Sequence, residues 1–121
     1  MMAGAQRGRS RRRGTASGSV LSLDRLRIER GLDARTRYRY VQPRVEADGA
    51  GWKVLSPNCS RSVAPDGGEI PIAWFEPCAD GHWRLHARDH AAQAWVLRGE
   101  GLSLTDALAQ LCADPLGEFW P

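Results

Sequence analysis

The sequence predicts an α+β fold, in which an antiparallel sheet of four or five strands forms a β-meander. An N-terminal helix and a C-terminal helix are expected to pack on one face of this sheet. Three observations predict it. Residues 70–98 contain two runs of strand-type residues on either side of the turn signal Asp80-Gly81. Shorter strand-type runs precede and follow them, separated by Gly-rich turns. Stretches with helical spacing of apolar residues lie at both ends.

The N-terminal end divides into a tail and a helix. Residues 1–20 are rich in Gly, Ser, Arg and Ala, so burial cannot offset their ordering entropy, and we expect a disordered basic tail. A single α+β domain is then expected over residues 21–121. A ragged apolar stripe at Leu23, Leu26 and Ile28 predicts a short helix from about Leu23 to Asp33.

The first strands follow this helix. Residues 36–46 are rich in Tyr and Val, which favour strands. Pro43 cannot donate a ladder hydrogen bond, so we expect this strand to lie at an edge of the sheet or to break there. Residues 52–55 are expected to form the next strand, and residues 57–69 a long loop. Beyond the central hairpin, residues 94–97 predict the last strand.

The hairpin is the centre of the predicted fold. A two-residue turn at Asp80 and Gly81 would place Trp74 opposite Ala87. The predicted apolar face then holds Ile70, Ile72, Trp74, Cys78, Trp83, Leu85 and Ala87. The opposite face holds Ala73, Phe75, Pro77, His82, Arg84, His86 and Arg88. Five of these are the candidate binding residues, namely Phe75, His82, Arg84, His86 and Arg88.

The C-terminal helix has the clearest boundaries. Ser103 to Asp106 reads as a capping box, and the helix that follows carries a core-facing stripe that includes Leu104, Leu108 and Leu111. We expect these leucines to contact Trp83, Leu85 or Trp74. Phe119 and Trp120 are expected to fold back onto the core.

These elements resemble a known group of proteins. Trp83 and Trp95 in successive strands, the helix at residues 102–111 and the closing sequence DPLGEFW at residues 114–120 resemble a small bacterial family catalogued only as a domain of unknown function. The resemblance implies an N-terminal helix, a Trp-bearing β-meander and a C-terminal helix. It implies no activity.

Composition limits the function classes. Residues 1–44 contain twelve Arg and three carboxylates (+9), whereas residues 45–121 contain five cations and eleven carboxylates (−6), which together give the net charge of +3. The sequence has no apolar run of the roughly 20 residues that a membrane span needs, and three Cys without metal-type spacing. We therefore expect a cytoplasmic protein with no membrane association, cofactor or metal.

The sequence favours a small non-enzymatic binding or regulatory domain. Its partner would be an acidic protein or nucleic acid, held by the face that carries His and Arg or by the basic tail. Nucleic-acid binding is expected to be weak and non-specific, because it would rest on phosphate neutralisation by the N-terminal third. The tail residues concerned are Arg7, Arg9, Arg11, Arg12 and Arg13.

An enzyme is the alternative. His86, Asp89 and His90 lie close together in sequence and could supply the acid–base groups of a small hydrolase or nuclease.

Overall fold

The computed structural model describes residues 15–39, 41–57 and 68–120, with side chains of the first helix from Leu23 onward. Along the chain, one helix precedes and one follows the five strands of a single antiparallel sheet. The elements in chain order are α1 (Thr15–Gly31), a 3-10 turn (Leu32–Ala34), β1 (Arg44–Asp48), β2 (Gly51–Pro57), β3 (Glu69–Pro77), β4 (Trp83–Asp89), β5 (Ala94–Leu102) and α2 (Leu104–Ala113).

The sheet is a meander, because its spatial order β1-β2-β3-β4-β5 is the order of the chain. Both helices contribute to one apolar core on a single face of the sheet. Ile28 from α1 and Leu111 from α2 are fully buried in the same cluster as Val54, Phe75 and Leu85 from the strands. The predicted α+β fold is therefore confirmed.

The first helix differs from its predicted bounds. It begins at Thr15, well before Leu23, and it ends at Gly31 in a short 3-10 turn. Residues 15–20, which were expected in the tail, are therefore helical, while residues 1–14 lie outside the described residues.

The predicted strand over residues 36–46 begins too early, because β1 starts only at Arg44, directly after Pro43. β1 is an edge strand of the sheet, as expected. Residues on either side of Tyr40, which lies outside the described residues, instead surround the buried side chain of Arg35. Arg35 is 6% exposed. Its guanidinium donates hydrogen bonds to the backbone carbonyls of Leu32, Tyr38, Arg39 and Val41. Tyr38 has a positive φ of 53°, which a continuous strand does not allow.

The hairpin forms, but with a register shifted by one residue. The backbone N–H of Cys78 donates to the carbonyl of His82 (2.8 Å), so the connection contains three residues rather than two. Gly81 takes the left-handed conformation of such loops, with φ 86°. Trp74 therefore pairs with His86, and Phe75 with Leu85. Because side chains alternate along a strand, this shift exchanges the predicted faces of Trp74 and Phe75.

A β-bulge in β3 interrupts the simple alternation of buried and exposed side chains that the sequence predicted. Val54 pairs with Ala73 and Leu55 with Pro71, which leaves Ile72 as an additional residue in β3. Ile70 and Ile72 are therefore buried together with Ala73 and Phe75, although their numbers differ in parity.

The C-terminal helix and the segment after it agree with the prediction. The Ser103 hydroxyl accepts a hydrogen bond from the N–H of Asp106 (3.0 Å) and caps α2. Leu104, Leu108 and Leu111 are buried in one cluster with Trp83 and Leu85. Phe119 and Trp120 fold back onto this core and are 2% and 1% exposed. Trp74 is absent from the cluster, so the leucines share the core with two of the three expected partners.

Leu108→Ala is expected to lower the free energy of unfolding by about 2–5 kcal/mol, because it removes buried methyl groups at the contact between the helices. The Leu108 side chain lies directly against Gly31, where an added Cβ would be only 2.6 Å from Leu108 Cδ1. Urea unfolding measures the change, with Leu116→Ala as the control because Leu116 is 83% exposed. A loss below about 0.5 kcal/mol for Leu108→Ala would contradict this packing.

Candidate functional site

The face of the sheet opposite the helices carries the candidate site, and we call it the open face. Lys53, Trp74, His86 and Leu97 are successive partners in the register and form one row across β2 to β5. Glu76 pairs with Arg84 on one side of this row, and Arg88 pairs with Trp95 on the other. Sheet pairing thus brings residues from separate strands onto one surface.

Aromatic rings cluster at the centre of the open face. The rings of Trp74 and His86 have centroids 4.8 Å apart at an interplanar angle of 34°. Trp95 lies on β5, and its ring centroid is 6.3 Å from that of Trp74 on β3. The Arg88 guanidinium carbon lies 4.9 Å from the Trp95 ring centroid, within cation–π range. Trp74, His86, Arg88 and Trp95 are named the aromatic platform below.

Hydrogen bonds fix two of these rings. The indole N–H of Trp74 donates to the backbone carbonyl of Asp48 (3.2 Å). The His86 Nε2 atom lies 3.0 Å from Glu76 Oε1. These two side chains are therefore held in place by the protein itself, which would reduce the entropy cost of binding a ligand to them.

The charges of the open face are mostly compensated within it. Arg84 contacts Glu100 at 3.0 Å and Glu76 at 3.7 Å, and the bond to Glu100 is the main cause that raises the pKa of Arg84. Lys53 pairs with Glu46 and Asp48. Among the residues that the structure describes, Arg88 has no carboxylate within salt-bridge distance. It is therefore the cation of the platform that can meet an anionic ligand.

The structure separates the five predicted binding residues. Arg84, His86 and Arg88 lie on the open face of β4, as expected from their alternation. His82 lies between the hairpin loop and β4, and its backbone N–H donates to Asp80 Oδ1 (3.0 Å). This hydrogen bond is the main cause that lowers the pKa of Asp80. The predicted place of Phe75 on this face is wrong, because Phe75 is fully buried in the core. The five tail arginines lie outside the described residues.

Sequence reasoning missed Trp74 and Trp95 as members of this surface. The error at Trp74 came from assuming a two-residue turn. A three-residue loop with Gly at its last position fits the same sequence, and Gly81 in that role would have placed Trp74 beside His86. Trp95 pairs with Arg88 and Leu97 with His86, so both lie on the open face. Because Trp95 and Leu97 are two residues apart in a strand, their shared face could have been predicted from spacing.

His86 and Asp89, two of the acid–base groups of the hydrolase alternative, form hydrogen bonds with different partners. His86 contacts Glu76, whereas Asp89 Oδ1 accepts the backbone N–H of Ala92 (3.0 Å) in the turn after β4. Burial is the main cause that lowers the pKa of His90, and its Nε2 atom has no hydrogen-bond partner in the described part of the chain. No three His, Cys, Asp or Glu side chains converge as metal ligands among the described residues. The hydrolase function stays a prediction.

The fold and the open face define a small α+β domain that packs two helices on one side of a β-meander and presents aromatic rings on the other. Residues 19–121 match the family described as Domain of unknown function (DUF3024), and the chain belongs to this family. The expected resemblance to a family of unknown function, with a helix, a β-meander and a second helix, is thereby confirmed. No curated protein and no solved structure matches the chain. Within the described ranges, no helix combines the length and apolarity needed to cross a membrane.

Proposed function

We propose that this protein is a non-enzymatic binding domain whose aromatic platform holds single-stranded nucleic acid. The observation that carries the proposal is the ring cluster of Trp74, His86 and Trp95 on the open face, with the Arg88 guanidinium against it. Isolated aromatic residues are common on protein surfaces, whereas the Trp74 ring here has both His86 and Trp95 as ring neighbours.

The shape of the platform suits unstacked nucleobases. Every base offers a flat π-face, and stacking on an aromatic side chain contributes about 1–3 kcal/mol per base. Sheet-based RNA-binding modules use rings on a sheet surface in the same way. Trp74 and Trp95 lie on different strands with centroids 6.3 Å apart, so they can contact neighbouring bases of one strand. Bases in a duplex are already stacked, which favours single strands.

The charge distribution assigns different tasks to the two parts of the chain. The segment 45–121 carries −6 and residues 1–44 carry +9. Phosphate attraction would therefore come from Arg88 together with the arginines of the N-terminal third, while the platform would supply the stacking. An acidic protein partner, also expected from the sequence, would pair with the cations but would leave the indole rings without a role.

The proposal is tested by fluorescence anisotropy with a labelled 12-nucleotide oligothymidine and the full-length protein. Trp74→Ala and Trp95→Ala are each expected to raise Kd about 5- to 150-fold, which corresponds to the loss of one stacked base. Arg88→Ala is expected to raise Kd and to reduce the slope of log K against log salt by up to about 0.7. Arg98→Ala is the matched control, since Arg98 pairs with Glu118 away from the platform.

Two outcomes of this titration would contradict the proposal. The first is unchanged affinity in both Trp variants while thermal melting shows that they remain folded. The second is a duplex of the same length binding as tightly as the single strand. Either result would indicate that nucleic acid binds through the basic N-terminal third, as the sequence predicts, and not through the platform.

A further inference from the structure

A groove between the two helices lies on the other side of the molecule from the open face. It has a volume of about 490 Å³. Its floor is apolar, and Arg27, Arg30 and Thr105 lie among its lining residues as the polar groups. The apolar lining residues are Gly31, Ala34, Leu104, Leu108, Ala109 and Cys112.

The apolar surface continues beyond the groove along α1. Leu23 and Leu26 are 60% and 40% exposed, although leucines of a core-packed helix are usually buried. Leu23, Leu26, Arg27 and Arg30 follow the i, i+3, i+4, i+7 spacing, so they share one side of the helix with the groove. From Leu23 to Gly31, the last residue of α1, this side is about 12 Å long, at about 1.5 Å per residue.

We propose that this groove binds an amphipathic helix of a partner protein, with its apolar side on the groove floor and its carboxylates on Arg27 and Arg30. Helix-in-groove binding uses this combination of an apolar strip and anchoring charges. The two arginines are available for it. Within the described ranges Arg30 has no carboxylate partner, and Arg27 has only an exposed contact to Asp24 at 3.4 Å.

Charge argues against occupants from this chain itself. Residues 1–14 contain five Arg and no carboxylate, so this segment is repelled by Arg27 and Arg30. A second copy would have to offer an acidic helix. However, α2 contains one carboxylate, Asp106, and α1 contains two carboxylates against three Arg. A small amphiphile such as a fatty acid would satisfy the arginines but would leave Leu23 exposed.

The test uses a fluorescein-labelled 14-residue peptide with Leu at i, i+3, i+4 and i+7 and mainly Glu elsewhere. Anisotropy with the full-length protein is expected to show saturable binding. Arg30→Glu is expected to weaken the affinity for the peptide at least tenfold. Ala109→Trp is expected to weaken it by a similar factor, because the new ring fills the groove. The controls are Arg39→Glu, an exposed arginine outside the groove, and Ala113→Trp, an exposed alanine at the end of α2. Circular dichroism melting checks that all four variants fold.

Weaker peptide binding in Arg30→Glu and Ala109→Trp, with unchanged binding in both controls, supports the groove as the binding site. The proposal is overturned if no saturable binding occurs, or if all four variants bind equally. It is also overturned if a peptide with the same leucines and Lys for Glu binds as tightly. Displacement of the peptide by micromolar decanoate would make a free amphiphile the occupant. Dimerisation through this groove in sedimentation would make it a second copy, and both results contradict the proposal.

Discussion

Replacing Asp114 by Ala is expected to lower the free energy of unfolding by about 3–5 kcal/mol, because its buried carboxylate organises the C-terminal segment. Asp114 Oδ1 accepts the backbone N–H groups of Glu118 (2.8 Å) and Phe119 (3.2 Å), and Oδ2 accepts that of Trp120 (3.0 Å). Hydrogen bonds to a charged group contribute about 1.5–3 kcal/mol each. Asp114 also ends α2 with a positive φ of 39°, a conformation that Ala disfavours.

Two further variants make this prediction specific. Asp114→Asn tolerates the left-handed conformation and retains an acceptor for Glu118 and Phe119, so its loss should be smaller than that of Asp114→Ala. Glu118→Gln removes only a surface contact to Arg98 and should cost less than about 1 kcal/mol. Urea unfolding monitored by Trp fluorescence compares the three variants. Equal small losses for Ala and Asn at position 114 would show that the carboxylate does not hold the segment.

Trp120→Ala is expected to cost about 3–5 kcal/mol, the range for removing a large buried aromatic side chain. Trp120 is 1% exposed and its indole N–H donates to the carbonyl of Leu111 (3.1 Å). Its ring also meets Tyr38 edge to face, with centroids 6.2 Å apart. The side chain therefore joins the C-terminal segment to α2 and to the loop before β1.

Trp120→Phe separates packing from hydrogen bonding in this cluster. It keeps an aromatic ring but leaves the Leu111 carbonyl without its donor, so an intermediate loss is expected. Thermal melting ranks the variants, with Leu116→Ala as the exposed control in the same segment. A melting temperature of Trp120→Ala within error of the unsubstituted protein would contradict the core role of this residue.

Local sequence signals were sufficient for much of the fold. Ser103 at the cap and the leucine stripe of α2 predict that helix correctly, because capping and periodicity act within one or two turns. The path from Arg35 to Pro43 could not be predicted in this way. The Tyr and Val residues there favour a strand, but the four carbonyls that Arg35 holds override that local preference.

The candidate site was partly predictable for a related reason. His86 and Arg88 alternate along β4 and could be placed together from spacing alone. Trp74 could not, because its face depends on whether the hairpin loop holds two or three residues, and Asp80-Gly81 is compatible with both. The contact between Trp74 and Trp95 depends on pairing of three strands, and that information is not local.

The central claim is that the open face, and not the basic N-terminal third, contacts nucleobases. The most direct measurement is photocrosslinking of a bromouridine-containing single strand to the full-length protein, followed by proteolysis and mass spectrometry of the adducts. The platform predicts crosslinks on peptides that contain Trp74, His86 or Trp95, and their loss in the Trp74→Ala/Trp95→Ala double variant. Crosslinks confined to residues 1–44, unchanged in the double variant, would contradict the claim.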